Sequence, residues 1–145
     1  MIMKTKKFDR SRFLDYYKRA DEFFNAMKDE KEFERYYASA LLGIHASIAL
    51  TDSLTIYESG KRATDTQHID AVKLLNIVCK TRGINKDGPN RLGKILSKKN
   101  FVAYGKRFRS MDTNELNSIR LNVERLFVWA YKNFDYLGKK IREGG

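Results

Sequence analysis

Residues 36–68 read YYASALLGIHASIALTDSLTIYESGKRATDTQH, and where this stretch divides decides the fold. From Lys31 to Ser59 the series Phe33, Tyr37, Ala40, Ile44, Ile48, Thr51 and Thr55 recurs at steps of three and four, with Leu41 and Leu54 widening the stripe. That is the spacing of one helical face. One long helix is expected over 31–59, stopped by Gly60, since glycine readily takes the left-handed turn that ends a helix. Beyond it, GKRATDTQH places Arg62 in a turn and offers Thr64 or Asp65 as the cap of a next helix beginning near 65. His68 then falls in that helix's first turn.

The same periods continue on both sides. Residues 9–28 carry Phe13, Tyr17, Ala20, Phe24 and Met27 at helical spacing. The third helix carries Val72, Leu75 and Cys79 and stops at Gly83, and a fourth follows the turn NKDGPN. Pro89 suits the first position of that helix, with Asp87 or Gly88 before it, and the helix is expected to run to about Tyr104. The fifth opens on DTNE, where Asp112 caps and Glu115 stands three residues on, a variant of the capping box. Its stripe is Leu116, Ile119, Val123, Leu126, Ala130, Phe134 and Leu137. One proline and nine glycines among 145 residues leave helices uninterrupted and argue against a turn-rich sandwich. Five amphipathic helices on short turns predict an all-α fold, a five-helix antiparallel up-and-down bundle forming a single domain over 1–145.

Composition narrows the function classes. Charged residues at 32% and hydrophobic ones at 42% are the balance of a folded protein, not of a disordered tail. The start MIMKTKKFDRSRF is basic with no apolar run behind it, so no leader or membrane anchor is expected and the protein reads as cytoplasmic. Cys79 stands alone, which excludes an internal disulfide and a cysteine-rich zinc site and reads as a small buried hydrophobe. No metal or other cofactor is expected. The 29 Lys plus Arg against 18 Asp plus Glu leave a net charge of +11. Such an excess favours polyanions, nucleic acid above all, through counterion release at phosphates.

Two candidate sites follow. Metal-independent RNA cleavage needs a base for the ribose 2′-hydroxyl, an acid for the leaving oxygen and a cation for the phosphorane charge. His68 and Arg62 are the right types: histidine titrates near pH ~6.5, and arginine presents a permanent fork to phosphate oxygens. The amides at the start of the third helix would add an anion seat. His68 also shares a stripe with Val72 and Leu75, so a half-buried histidine bonded within the bundle satisfies the same pattern. His45 and Asp52 lie two turns apart on one helix, about 10 Å, too far to touch. They read as polar groups satisfied within the bundle or at its edge. The second site is SKKNFVAYGKRFR at 97–109, where Lys98, Lys99, Lys106, Arg107 and Arg109 carry no acid among them and alternate with Phe101, Tyr104 and Phe108. Cations attract phosphates and aromatic faces stack on unpaired bases. The alternative is a set of core aromatics flanked by solvated charge. In an up-and-down bundle the two sites share one end, so Arg62, His68 and Tyr104 are expected to cluster.

Three pieces together resemble the HEPN family of small helical-bundle domains, over roughly Tyr36 to Phe134. They are residues 36–68, the stretch LGKILSKKNFVAYGKRF, and the capped helix ending RLFVWAYKNF. Many members are ribonucleases with Arg, often Asn, then His after four to six residues. On that motif Lys99 and Asn100 stand at the Arg-Asn positions and Tyr104 at the histidine position. Tyrosine, with a pKa near ~10, is a poor base at neutral pH, and lysine lacks the arginine fork. The resemblance therefore implies a non-catalytic RNA-binding or nucleotidyltransferase-partner module, working through Lys98, Lys99, Asn100, Tyr104, Lys106, Arg107 and Arg109. It also implies a homodimer. Arg62 and His68 keep the Arg-to-His interval at the adjoining turn, which leaves open a toxin-like metal-independent endoribonuclease with Tyr104 positioning the substrate. An antitoxin-type interaction subunit without RNA contact is the third alternative.

Overall fold

Gly60 takes φ 72, and its N–H donates to the Ile56 carbonyl at 2.8 Å. The long central helix thus ends at the residue the sequence marks. A computed structural model describes residues 3–99, 102 and 111–138. In chain order its elements are β1 (Thr5–Lys7), α1 (Phe13–Glu32), α2 (Tyr36–Ser59), β2 (Lys61–Ala63), α3 (Ile69–Arg82), α4 (Asp87–Ser97) and α5 (Thr113–Asn133), with a 3-10 turn at Arg10–Arg12 leading into α1. The described chain is predominantly helical, as the periodicities predict.

α2 is the axis of the core and packs against α1, α3, α5 and β2. Every residue from Ala49 to Ile56 is buried. Burying each of Leu50, Leu54 and Ile56, all at 1% exposure or less, contributes about 1.5–3 kcal/mol. The hydroxyls on this face are satisfied within the helix: Ser47 donates to the Gly43 carbonyl and Thr51 to that of Ser47, both at 2.9 Å. Such back-bonding lets serine and threonine sit on an apolar stripe. Gly43 makes room where α1 and α5 both approach, since a Cβ there would lie 2.7 Å from Met27 Sδ and 3.1 Å from Val123. α2 is also long and apolar enough to cross a membrane, at mean hydropathy 1.3, yet 78% of that window is buried inside the fold. Burial identifies it as a core helix.

Several boundaries differ from the sequence reading, the start of α3 among them, at Ile69 and not near 65. The long helix begins at Tyr36, because Glu34 turns left-handed at φ 59 and separates α1 from α2. Phe33, placed above on the core stripe, is 70% exposed. Neither glycine nor proline marks the break, so periodicity runs across it. α4 begins at Asp87, putting Pro89 third in the helix, and stops at Ser97. Arg62 lies in a strand: β1 and β2 pair antiparallel with Thr5 opposite Ala63, Lys6 opposite Arg62 and Lys7 opposite Lys61. Strands of three residues are too short to show an alternation.

The fifth helix begins as read but ends at Asn133, so Phe134 and Leu137 of its expected stripe lie beyond it. The Asp112 carboxylate accepts from the Glu115 amide at 2.8 Å, and the whole expected stripe from Leu116 to Leu137 is buried. Gly83, at φ 67, ends α3, and Cys79 is buried.

Candidate functional site

Asp52 is the only charged residue between Tyr36 and Tyr57, His45 aside, and it is 4% exposed. An unpartnered carboxylate there would be costly. Its partner comes from β2, where Arg62 Nε donates to Asp52 Oδ2 at 3.3 Å. The guanidinium also lies 5.4 Å from the Tyr16 ring centre and 5.9 Å from that of Phe8, the range of cation–π attraction. The β1–β2 pairing sets this geometry, with Gly60 O accepting from the Phe8 amide at 2.8 Å and Lys4 O from the Thr64 amide at 2.9 Å. Burial pushes the Asp52 carboxyl up to about 6, with Arg62 and then Arg19 pulling the other way.

His68 stands immediately before α3 at φ 59, left-handed, rather than in its first turn. It is half-buried, and burial followed by the charge of Lys99 holds its pKa below the usual histidine value; Asp65 opposes, while Arg62 and His45 add to the depression. A neutral imidazole at neutral pH results. Lys99, just beyond α4, donates from Nζ to the Thr66 carbonyl at 3.1 Å. Four positively charged or chargeable groups from separate parts of the chain therefore act on one loop: His45 of α2, Arg62 of β2, His68 itself and Lys99.

The anion seat expected at the start of α3 is already occupied. Asp65 Oδ2 accepts from the amides of Ile69 at 2.8 Å and Asp70 at 3.3 Å, so although His68 and not Asp65 holds the N-cap position, the Asp65 carboxylate takes donors a phosphate would need. Thr64 does not cap; it extends the strand pairing. The other oxygen, Asp65 Oδ1, is buried without a hydrogen-bond partner among the described residues.

Of the residues singled out from sequence, Arg62, His68 and Lys99 come together. Among the described residues no hydrogen bond joins Arg62 to His68. Lys98 is exposed at the end of α4. Asn100, Tyr104, Lys106, Arg107 and Arg109 lie outside the described residues, and with them the expected clustering of Tyr104. Sequence reasoning missed that Asp52 belongs to Arg62. The available signal was a lone acid in an apolar helix, ten residues before an arginine across a glycine stop. The arrangement can hold an anion beside Lys99 and His68, but the Arg62 Nε–H is turned inward. The chain matches no protein-family model and no curated protein.

Proposed function

We propose that this chain is a HEPN-like module, a five-helix antiparallel up-and-down bundle that binds RNA through the end carrying His68 and Lys99 and does not cleave it. What supports the reading is the convergence of Lys99, Arg62 and His45 on His68, whose pKa is lowered first by burial and then further by these charges. A local positive potential of that kind attracts phosphates. The net charge of +11 extends it over the whole protein. Arg62 favours binding over catalysis because Asp52 and two aromatic rings fix its guanidinium. Homodimer formation and association with a nucleotidyltransferase remain part of the proposal through the HEPN resemblance.

A second reading, the metal-independent endoribonuclease, draws on one observation. A histidine held neutral beside an arginine is in the protonation state a general base needs. One experiment separates the two: purified protein is incubated with mixed RNA in EDTA, beside His68→Ala and Tyr104→Phe. Binding that falls steeply with salt and leaves the RNA intact is the expected result. Cleavage abolished in His68→Ala would replace it with the nuclease reading, and absence of binding would favour a protein-partner role.

A further inference from the structure

Between the start of α3 and the end of α4 lies an open groove of about 560 Å³, within the range of small-molecule sites. Ile69 and Val72 of α3 face Gly93 and Leu96 of α4 across it. Two features of these walls lack a packing reason. Ile69 is 56% exposed, although a large aliphatic side chain gains by burial. Gly93 lies inside a helix, where glycine is less favourable than alanine, yet a Cβ at this position would meet nothing within 4 Å. Among the described residues no neighbour requires the small residue. Its effect is to keep the groove open.

Charge at the groove indicates what enters. Lys73 lines it, with a long 3.9 Å contact to Asp70. Lys99 reaches the Thr66 carbonyl, next to Gln67 at the rim. The Gln67 amide and the Ser97 hydroxyl can bond the edge of a planar ligand; Ser97 Oγ already donates to the Lys94 carbonyl at 2.7 Å, which leaves its oxygen to accept. Apolar walls, one amide that both donates and accepts, one accepting hydroxyl and two ammonium ions match a flat heterocycle carried on a phosphate chain.

We infer that this groove takes one unpaired base of single-stranded RNA, with the adjoining phosphates on Lys99 and Lys73. The inference rests on the RNA-binding reading and adds the form of the strand and its point of entry. A base in a duplex is stacked and paired and cannot enter, whereas a single strand can splay one out.

Gly93→Leu tests it, because leucine projects into open space, favours the helix and fills the groove. Fluorescence anisotropy is measured with a short single-stranded RNA and with the duplex of the same sequence. The expected result is a loss of about tenfold for the single strand, the lower end of what a small misfit in an apolar pocket costs, with duplex affinity unchanged and the melting midpoint equal or higher. Ile69→Ser, at an exposed position, gives the same selective loss and serves if Gly93→Leu fails to fold. Wild-type affinity for the single strand in folded variants, or equal loss on both RNA forms, overturns the groove and leaves RNA binding standing. A wild-type protein that binds neither form overturns both.

Discussion

Replacing Asp52 by asparagine separates two opposed effects at the centre of the site. Burial pushes the Asp52 carboxyl up to about 6 from an ordinary 3.8, despite Arg62 and Arg19. The folded state therefore holds this proton more tightly than the unfolded chain. The stability associated with it is complete below about pH 4 and is lost as pH rises through about 6. At about 1.36 kcal/mol per pH unit, the interval from 3.8 to about 6 amounts to about 3 kcal/mol lost by neutral pH. Asparagine has the shape of the protonated acid and keeps an oxygen for the Arg62 Nε–H. The two proteins should match near the acid limit, and Asp52→Asn should lead by up to about 3 kcal/mol at neutral pH. Urea unfolding followed by circular dichroism at stepped pH gives both stabilities, and their difference removes every group the two proteins share. A difference that stays flat with pH, or a wild type that gains on the variant as pH rises, refutes the reasoning. It would mean that Arg62 outweighs burial and that the pair is a net stabilising bridge.

The same variant leaves Arg62 without a counter-charge, so Asp52→Asn should bind RNA more tightly than wild type at low salt, and a filter-binding titration showing weaker binding contradicts the cationic-site reading. Lys99→Ala should weaken binding to all RNA sequences alike and reduce the slope of log affinity against log salt by about one; an unchanged slope removes Lys99 from the phosphate contacts. Gly88→Ala should lose about 1–3 kcal/mol by overpacking, because the new Cβ overlaps the Trp129 ring and that ring's Nε1–H is tied to Asn85 at 3.0 Å. An unaltered melting midpoint would show that the ring yields. Phe33→Ser, at a position 70% exposed, should change stability by no more than about 0.5 kcal/mol, and a larger loss would place Phe33 in a packed interface.

The helices were legible because long apolar stripes and stop residues act locally. Gly60 and Gly83 end α2 and α3 at the left-handed φ that glycine favours, and Asp112 caps α5 through its own side chain. The break at 33–35 was not legible, since a glutamate makes the left-handed turn and the heptad-like spacing runs across it. The site was half legible. Arg62 and His68 were visible as chemistry-bearing types, and Lys99 as part of a basic run. Their arrangement depends on contacts distant in sequence: β1 pairs with β2 across some fifty-five residues of chain, and Lys4 donates its amide to Asp70 at 2.9 Å. No local pattern encodes a partner so far away. The inward turn of Arg62 follows from that pairing together with buried Asp52, and neither is apparent from residues 60–68 alone.

Several features that work against folding lie around this site, although buried Arg120 Nε in α5, which also lacks a hydrogen-bond partner among the described residues, and exposed Phe33 lie elsewhere. A buried carboxylate is retained in α2 although burial opposes its ionisation. His68 adopts a left-handed backbone that a side chain with a Cβ disfavours, and Asp65 Oδ1 is buried without a hydrogen-bond partner among the described residues. Ile69 faces solvent, and Gly93 weakens α4 with no described neighbour to require it. Glu34 is the other left-handed residue outside glycine among those described, and beside exposed Phe33 in the α1–α2 turn it has no buried charge or buried unpaired atom near it among the described residues. A single outlier is ordinary turn geometry. Five adverse choices within residues 52–93, converging on the loop between β2 and α3, fit the expectation that departures from local consistency concentrate where function opposes stability. His68→Gly relieves the backbone and should raise stability, and if RNA affinity survives that change intact, the left-handed turn serves the fold and not the ligand.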